Sequence, residues 1–217
     1  MTKGFPAMRR QPPGVTNSPE DLCIRFVNTV AWRLRRPREE RLAAPGALLL
    51  WFGENGLGSQ RYLVHLAASW QEEPQLAAEL YAKAIQLREA IYDALRARIE
   101  GRPPKADDLT VLNECLARSA GGIEIALTDN DMGWRLASLD ADPLDLLRPI
   151  AVSAADLMTG PRAHKVRQCS DDRGCGWLFV DESRARNRRW CSMGDCGNRA
   201  KASRHRARKR IHTEEPA

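Results

Sequence analysis

The sequence predicts an α+β protein: a mostly helical N-terminal domain with a small β-hairpin, followed by a small C-terminal module that depends on a metal. Three observations support this fold class. Apolar residues recur at three- and four-residue steps through most of residues 18–158, the segment 122–139 alternates as strands do, and four cysteines occur in the last fifty residues. A chain of 217 residues with 43% hydrophobic residues is sufficient for an ordinary core beside such a module.

The first part of the chain is predicted to be a disordered N-terminus followed by three helices. Residues 1–17 are rich in proline and glycine and contain few apolar side chains, so we expect them to be disordered. Ser18 and Pro19 are typical of a helix start, because serine caps the first turn and proline fits the first helical position. The expected helices cover residues 19–34, 45–52 and 59–70.

The middle of the chain is predicted to contain further helices and one hairpin. The longest helical pattern begins at Pro74 and runs to Glu100, where a glycine and two prolines follow. Two strands joined by a turn-rich connection indicate a hairpin. After the long helix, the expected order is a helix over residues 107–120, strands over 122–128 and 134–139 with a turn at 129–133, and a helix over 143–158.

A domain boundary is expected at Gly160-Pro161, where the last of these helices is broken. The boundary separates an N-terminal domain of residues 18–160 from a C-terminal module of residues 161–213. Residues 160–217 contain fifteen Lys and Arg against seven Asp and Glu, a net charge of +8, and the chain as a whole has a net charge of +6. A nearly neutral body with a cationic end favours a polyanionic partner, with a solvated basic tail as the alternative.

The sequence predicts a cytoplasmic protein. The first twenty residues contain no apolar region typical of a secretion signal, and no uninterrupted apolar stretch approaches the roughly eighteen residues that a membrane span requires. Cytosolic thiols stay reduced, so closely spaced cysteines there more often bind a metal than form disulfides.

The four cysteines form two close pairs, Cys169 with Cys175 and Cys191 with Cys196. Five residues separate the first pair, four separate the second, and fifteen lie between the pairs. Two pairs of thiolates on tight turns are typical ligands of one structural Zn²⁺ in tetrahedral geometry. The first pair is wider than the common spacing, but glycines flank Cys175 and allow the backbone to turn. Two disulfides or four unrelated thiols are the alternatives.

The residues around these cysteines predict a hairpin and a basic helix. Residues 176–181 are aromatic and β-branched, as in a strand, and residues 188–191 are expected to pair with them. A helix is expected after Cys196, with Asn198 as its cap or Gly197 easing the turn. Its composition favours a helix but provides no wide apolar stripe to bury, so its cations must face water or phosphate.

Nucleic acid is the expected partner of this helix and of the arginine-rich turn between the cysteine pairs. Each Lys or Arg that contacts a phosphate releases condensed counterions. DNA is favoured over RNA, and a membrane surface is disfavoured because the helix lacks an aromatic or leucine face. The predicted contacts are Arg184, Arg186, Arg188, Arg189, Asn198, Arg199, Lys201, Arg204, Arg206 and Arg208.

The cysteine module resembles the CGNR zinc finger. The resemblance rests on Cys169, on Cys175 followed by Gly-Trp-Leu-Phe-Val-Asp, on Arg-Arg-Trp-Cys191, and on Cys196 followed by Gly-Asn-Arg-Ala-Lys. Upstream, Leu22 and the run Phe-Val-Asn-Thr-Val at 26–30 resemble the start of the ABATE domain, which usually precedes this finger in bacterial proteins described as stress-induced transcription regulators.

This resemblance covers residues 20–210 and carries several expectations. It implies a mixed α/β N-terminal domain and a treble-clef-like finger. It implies zinc ligation by the four paired cysteines, and nucleic-acid contact by the helix that begins near Asn198. The expected function is a non-enzymatic regulator, cytoplasmic and associated with the nucleoid. Its N-terminal domain is expected to sense a small molecule or a partner, and this expectation rests on the neutral, core-forming composition of residues 20–158 and not on the resemblance.

Two other classes of function are weighed against this one. An RNA-associated, ribosome-associated or protein-interaction zinc module is the second hypothesis. A metal-dependent nuclease is the third, and it is disfavoured because the sequence shows no open ligand position and no general base.

The remaining candidate residues are assigned structural roles. Cys23 and Cys115 are predicted to be buried thiols rather than a redox switch. His65 has no metal partner at helical spacing, and His164 could compete as a ligand only if the four-cysteine set were incomplete. Residues 28–29, an Asn-Thr pair, could hold a ligand, although helix packing explains them almost as well.

Overall fold

The computed structural model describes residues 21–118, 123–128, 131–136, 140 and 142–213, with the backbone alone for 123–128, 131–136 and 207–213. The predicted disorder of residues 1–17 and the predicted helix start at Ser18 and Pro19 lie outside these ranges. The α+β fold class is confirmed, since helices dominate the described chain and its strands form three two-stranded antiparallel pairs.

The α-helices of the described chain lie close to their predicted positions, with one exception. Ser59 caps the third helix, because its hydroxyl accepts a hydrogen bond from the Tyr62 amide at 3.1 Å. A 3₁₀ turn over Pro143–Leu147 precedes the sixth helix. The helices are α1 Leu22–Val27, α2 Pro45–Glu54, α3 Gln60–Glu72, α4 Pro74–Ile99, α5 Ala106–Ala117, α6 Arg148–Thr159 and α7 Asn198–Thr213.

Helix α1 is the exception, because it ends at Val27 rather than at the predicted residue 34. The chain continues as strand β1, Val30–Ala31, which pairs with strand β2, Glu39–Glu40. The prediction was wrong because the backbone of Val30, Arg33 and Leu34 hydrogen-bonds the C-terminal module instead of continuing the helix. Such contacts override a helical pattern of apolar residues.

The predicted hairpin is present as strands β3, Ile123–Thr128, and β4, Asp131–Leu136. Thr128 pairs with Asp131 across its closed end, so β4 begins three residues earlier than the sequence predicted. Residues 131–133, which we expected in the turn, therefore belong to the second strand.

The long helix α4 is the centre of the hydrophobic core. Its buried side chains cover more than half of the helix circumference and pack against α1, α2, α3, α5 and α6. Phe26, Phe52 and Leu95 are among the large side chains in this core that have no exposed surface. Within the described residues, no helix is both long enough and apolar enough to cross a membrane.

The C-terminal module begins with a hairpin that joins the main core. Strand β5, Val166–Gln168, pairs antiparallel with strand β6, Leu178–Val180. The predicted partner of β6, residues 188–191, was wrong. Val166 and Leu178 are buried in the main hydrophobic core, and this burial favours β5 as the partner.

Candidate metal centre and nucleic-acid interface

The β5–β6 hairpin presents the first cysteine pair at its closed end. Cys169 directly follows β5, and its amide donates to the carbonyl of Trp177 at 2.8 Å. The loop returns through Gly174 and Gly176, whose φ angles of 89° and 69° lie in the left-handed region that glycine adopts without strain. These two glycines let the wide C-x5-C spacing close into a knuckle around Cys175.

The second cysteine pair lies at the start of α7. Cys196 belongs to a π-helical turn over Met193–Gly197 that leads directly into α7, and the Gly197 amide donates to the Ser192 carbonyl at 2.9 Å. Asn198 is the first residue of α7, and its side-chain amide donates to the Gly194 carbonyl. It therefore bridges the π turn and the α-helix, rather than acting as the predicted cap.

The four cysteine sulfurs form one compact group whose size suits a tetrahedral metal site. Their Sγ atoms all lie within 4.8 Å of one another, with 3.8 Å between Cys175 and Cys191 and 3.5 Å between Cys191 and Cys196. A tetrahedron with metal–sulfur distances of about 2.3 Å has sulfur–sulfur edges of about 3.8 Å. All four cysteines are buried and free, so the group is a set of thiols and not a pair of disulfides. The donor set fits Zn²⁺.

The protonation of these thiols shows why the cluster suits a divalent cation. Hydrogen bonds from Cys175 and Cys191 lower the pKa of Cys169. Hydrogen bonds to Cys169 and Cys175 raise the pKa of Cys191, and burial raises that of Cys196. Four thiolates so close together cannot all ionise without a compensating charge, and a bound metal supplies it.

Arg199 and Asp171 form an outer layer around the second cysteine pair. The Arg199 guanidinium donates to the Cys196 Sγ at 2.8 Å and to Asp171 Oδ2 at 3.0 Å, and it also pairs with Asp195. The Asp171 side chain is fully buried. Sequence reasoning missed Asp171, although its position two residues after the first ligand was the available signal.

The predicted nucleic-acid contacts occupy two kinds of environment. Arg188 is partly buried: its guanidinium stacks on Phe179 at 4.8 Å and donates to the carbonyl of Trp190. Arg199 is held by its two carboxylates and by the Cys196 sulfur. The Arg208 side chain lies outside the described residues. The exposed members of the predicted set are Arg184, Arg186, Arg189, Asn198, Lys201, Arg204 and Arg206.

Helix α7 separates these basic residues onto different faces. At 3.6 residues per turn, positions 201, 204 and 208 share one face, whereas positions 199 and 206 lie on another. Arg199 faces the metal cluster, and Lys201 and Arg204 are exposed. The same helix thus contacts the metal site through one face and offers cations to solvent through another.

The N-terminal domain contacts the finger through buried hydrogen bonds. The Asn28 side chain donates to the Leu178 carbonyl at 2.8 Å and accepts from the Leu178 amide at 3.0 Å. The Tyr92 hydroxyl donates to the Gly176 carbonyl at 3.1 Å. The Thr29 hydroxyl bonds the Phe26 carbonyl at 2.7 Å. Both members of the Asn-Thr pair therefore have packing roles.

A cleft of about 440 Å³ opens beside this contact. It combines two tryptophans with two arginines, and the indole of Trp177 belongs to the finger. That indole donates to the Val30 carbonyl at 2.8 Å and lies 5.0 Å from the Arg41 guanidinium. The lining residues are Arg25, Asn28, Thr29, Arg41, Leu42, Ala47, Leu50, Trp51, Glu54 and Trp177.

The residues assigned structural roles lie outside the metal cluster. Cys23 is fully buried, and burial raises the pKa of its thiol to about 12. Burial also raises the pKa of Cys115. His164 is exposed, with its ring 3.3 Å from the Arg186 guanidinium, and His65 is exposed on α3. Among the described residues, the group suited to a metal consists of the four paired cysteines alone.

Both parts of the chain match known protein families. A search of the curated proteins found no match. Residues 20–161 match the ABATE family, described as "Putative stress-induced transcription regulator". Residues 165–209 match the CGNR zinc finger, which contains the four-cysteine cluster and the first part of α7. The chain therefore belongs to the ABATE family and carries a CGNR zinc finger at its C-terminal end.

Proposed function

We propose that this chain is a zinc-dependent, DNA-binding transcription regulator without enzymatic activity, which acts in the cytoplasm on the nucleoid. The observation that carries the proposal is the junction between the cysteine cluster and α7. Cys196 lies in the turn that opens this helix, and Lys201, Arg204 and Arg206 on the helix are exposed. Membership of a family described as transcription regulators also supports this proposal.

One structural Zn²⁺ would be held by Cys169, Cys175, Cys191 and Cys196. A bound zinc joins the β5–β6 hairpin to the turn before α7, so it fixes the direction in which the helix projects. Four thiolates around Zn²⁺ carry a net charge of −2, which the guanidinium at Cys196 offsets. All four positions of the tetrahedron are filled by sulfur, which favours a structural over a catalytic metal.

Duplex DNA is the favoured partner on grounds of shape. A helix with its side chains is about 10–12 Å in diameter, and the major groove of B-DNA is about 12 Å wide. The major groove of A-form RNA is too deep and narrow for side chains to read. A helix with cations on more than one face, such as α7, suits a groove with phosphates along both edges.

The cleft beside Asn28 is the favoured position for an effector. Trp51 and Trp177 suit a flat apolar body, and Arg25 and Arg41 suit an anionic group. Because the Trp177 indole belongs to the finger, a molecule in this cleft would contact both parts of the chain.

The effector site is tested with a panel of aromatic carboxylates. These compounds should raise the midpoint of thermal unfolding of the wild type and not that of Arg41→Gln. Equal shifts in both proteins would reject the site.

The DNA-binding proposal is tested with a charge-reversed pair on α7. Lys201→Glu/Arg204→Glu alters two exposed residues, and Arg61→Glu/Arg98→Glu makes the same charge change on α3 and α4. Binding of a labelled duplex is measured as a function of salt, where the slope of log K against log salt is about −0.9 per phosphate contact.

We expect the α7 variant to lose most of its affinity while it keeps its zinc, and the control to bind as the wild type does. Equal binding by both variants would reject α7 as the DNA contact. If structured RNA displaces the duplex at equal concentration, the RNA-associated function replaces the DNA-binding one.

A further inference from the structure

A basic segment of the N-terminal domain lies against the first cysteine knuckle. This basic loop comprises residues 32–38, with the sequence Trp-Arg-Leu-Arg-Arg-Pro-Arg. The Arg33 amide donates to the Cys175 carbonyl at 3.0 Å, and the Leu34 amide donates to the Gly174 carbonyl at 3.1 Å. Two backbone hydrogen bonds therefore fix the loop to the finger.

The loop packs closely at the knuckle glycines. A Cβ on Gly174 would lie 3.2 Å from the Cβ of Arg35, and one on Gly176 would lie 2.7 Å from Leu34 Cγ. A side chain at Gly176 would clash with Leu34, and one at Gly174 would require the loop to shift by a few tenths of an ångström. The position of the loop is thus defined by the knuckle that the metal site organises.

The indole of Trp32 lies close to the guanidiniums of arginines from three parts of the molecule. The guanidinium of Arg35 in the loop lies 4.1 Å from the ring centroid, that of Arg173 in the knuckle 5.6 Å, and that of Arg199 in α7 5.0 Å. Trp32 has a φ of 55°, which is uncommon for a bulky residue and is held in place by its surroundings. The basic loop and the first turn of α7 therefore meet at one side chain.

The loop provides positive charge that the carboxylates of the described chain leave largely unpaired. Arg33 is buried and pairs with Glu89 at 2.8 Å, so its charge is balanced internally. Arg35, Arg36 and Arg38 are exposed, and none of the three forms an ion pair with a carboxylate of the described chain. Three uncompensated guanidiniums beside a cationic helix create a potential that attracts a polyanion.

We propose that the basic loop is a second nucleic-acid contact, which binds the phosphate backbone at the edge of the groove that α7 enters. The inference rests on the DNA-binding function proposed above. Arg199 in the first turn of α7 lies beside Trp32, and the groove is only about 12 Å wide, so its edge is within reach of arginines in the loop. Contacts of this kind position the protein on the duplex and do not read sequence.

The inference is tested in the full chain with Arg36→Gln/Arg38→Gln. Neither residue stacks on Trp32, so their removal leaves the finger contact in place. Arg61→Gln/Arg98→Gln is the control with the same change of net charge. We expect the slope of log K against log salt to fall in magnitude by about 0.9 for each arginine lost, roughly 1.8 in all, in the loop variant alone.

Arg35→Gln provides a second variant with the same readout, and zinc content and the unfolding midpoint show that each protein is folded. A wild-type slope in both loop variants, while Lys201→Glu/Arg204→Glu loses binding, would overturn the loop contact and leave the DNA-binding function intact. Equal losses in the loop variant and the control would also overturn it, as a general charge effect. Absence of duplex binding by the wild type would instead reject the proposed function.

Discussion

At the scale of single residues, Arg199 links the metal cluster to the rest of the finger. It donates to a cysteine sulfur and to buried Asp171, and it lies over the Trp32 ring. Desolvation would raise the pKa of Asp171, but the Arg173 amide and the Arg199 guanidinium outweigh it and lower the pKa below its usual value. The carboxylate therefore stays ionised and orients the guanidinium toward the sulfur.

Arg199→Ala should weaken zinc binding by about 10–100-fold, the usual effect of removing an outer partner of a metal ligand. The reason is that Cys196 loses its charged hydrogen-bond donor and Asp171 keeps a buried charge without its guanidinium. The measurement is competition for zinc with a chromophoric chelator. Lys201→Ala, an exposed change two residues along the same helix, is the control. Equal affinities in the two variants would contradict the role given to Arg199.

Asn28 offers a second test at the residue scale. Its side chain satisfies both the amide and the carbonyl of Leu178, and all of these groups are buried. A buried polar group left without a partner costs about 1–3 kcal/mol, so the two groups that Asn28→Ala leaves unpaired should lower the free energy of unfolding by about 2–6 kcal/mol. Urea unfolding measures this change. Asn113→Ala on the exposed side of α5 should be nearly neutral, and a similarly small effect at Asn28 would refute the argument.

At the scale of elements, the structure separates what sequence could predict from what it could not. Helices α2 to α5 and the grouping of the four cysteines follow from local periodicity and spacing. The partner of β6 does not, because strand pairing depends on which apolar residues reach the distant core, and Val166 is one of them. The early end of α1 could not be predicted either, because it depends on a hydrogen bond from Asn28 to strand β6, 150 residues away.

Helix α4 contains another feature that apolar periodicity does not reveal. Arg88 is buried within the helix and pairs with Glu40 at 2.6 Å and with Glu89 at 2.9 Å, and Glu89 also binds Arg33. This charged group ties α4 to strand β2 and to the basic loop. Burial of this arginine could be predicted only if its carboxylate partners were known, and one of them, Glu40, lies 48 residues away in sequence.

The pH dependence of unfolding tests this charged group. Desolvation would raise the pKa of Glu89, but hydrogen bonds and charge from Arg33 and Arg88 lower it. A lowered native pKa stabilises the fold above the unfolded value of about 4.3, and this contribution is lost as pH falls through the native pKa. Glu89→Gln should therefore be less stable than the wild type at neutral pH, with the difference shrinking toward pH 3.

The control for that experiment is Glu79→Gln, an exposed change on the same helix. Acid would also release a zinc ion bound by the four thiolates, but this affects the wild type and both variants alike, so the differences between proteins remain informative. A difference between Glu89→Gln and the wild type that stays constant from pH 7 to pH 3 would contradict the ion-pair assignment.

At the scale of the whole molecule, the finger and the N-terminal domain behave as parts of one structure. Strands β5 and β6 place Val166 and Leu178 in the main core, and the basic loop bonds to the first knuckle. We infer that the boundary near residue 160, expected from sequence, separates two sequence families and not two independently stable units. Binding of an effector in the cleft, or of zinc to the cysteine cluster, would then affect both parts of the chain.

This inference predicts that loss of the metal destabilises the helices of the N-terminal domain as well as the finger. Free zinc at about 100 times its Kd stabilises a folded chain by about 2.7 kcal/mol, which corresponds to roughly 5–11 °C for a protein of this size. Cys191→Ser removes one ligand, and it should lower the midpoint of helix unfolding, followed by circular dichroism, by at least this amount. Cys115→Ser removes a half-buried thiol outside the cluster and serves as the control. If Cys191→Ser loses zinc while its helices unfold at the wild-type midpoint, the finger is energetically independent, because a shared core requires that both parts respond to the metal.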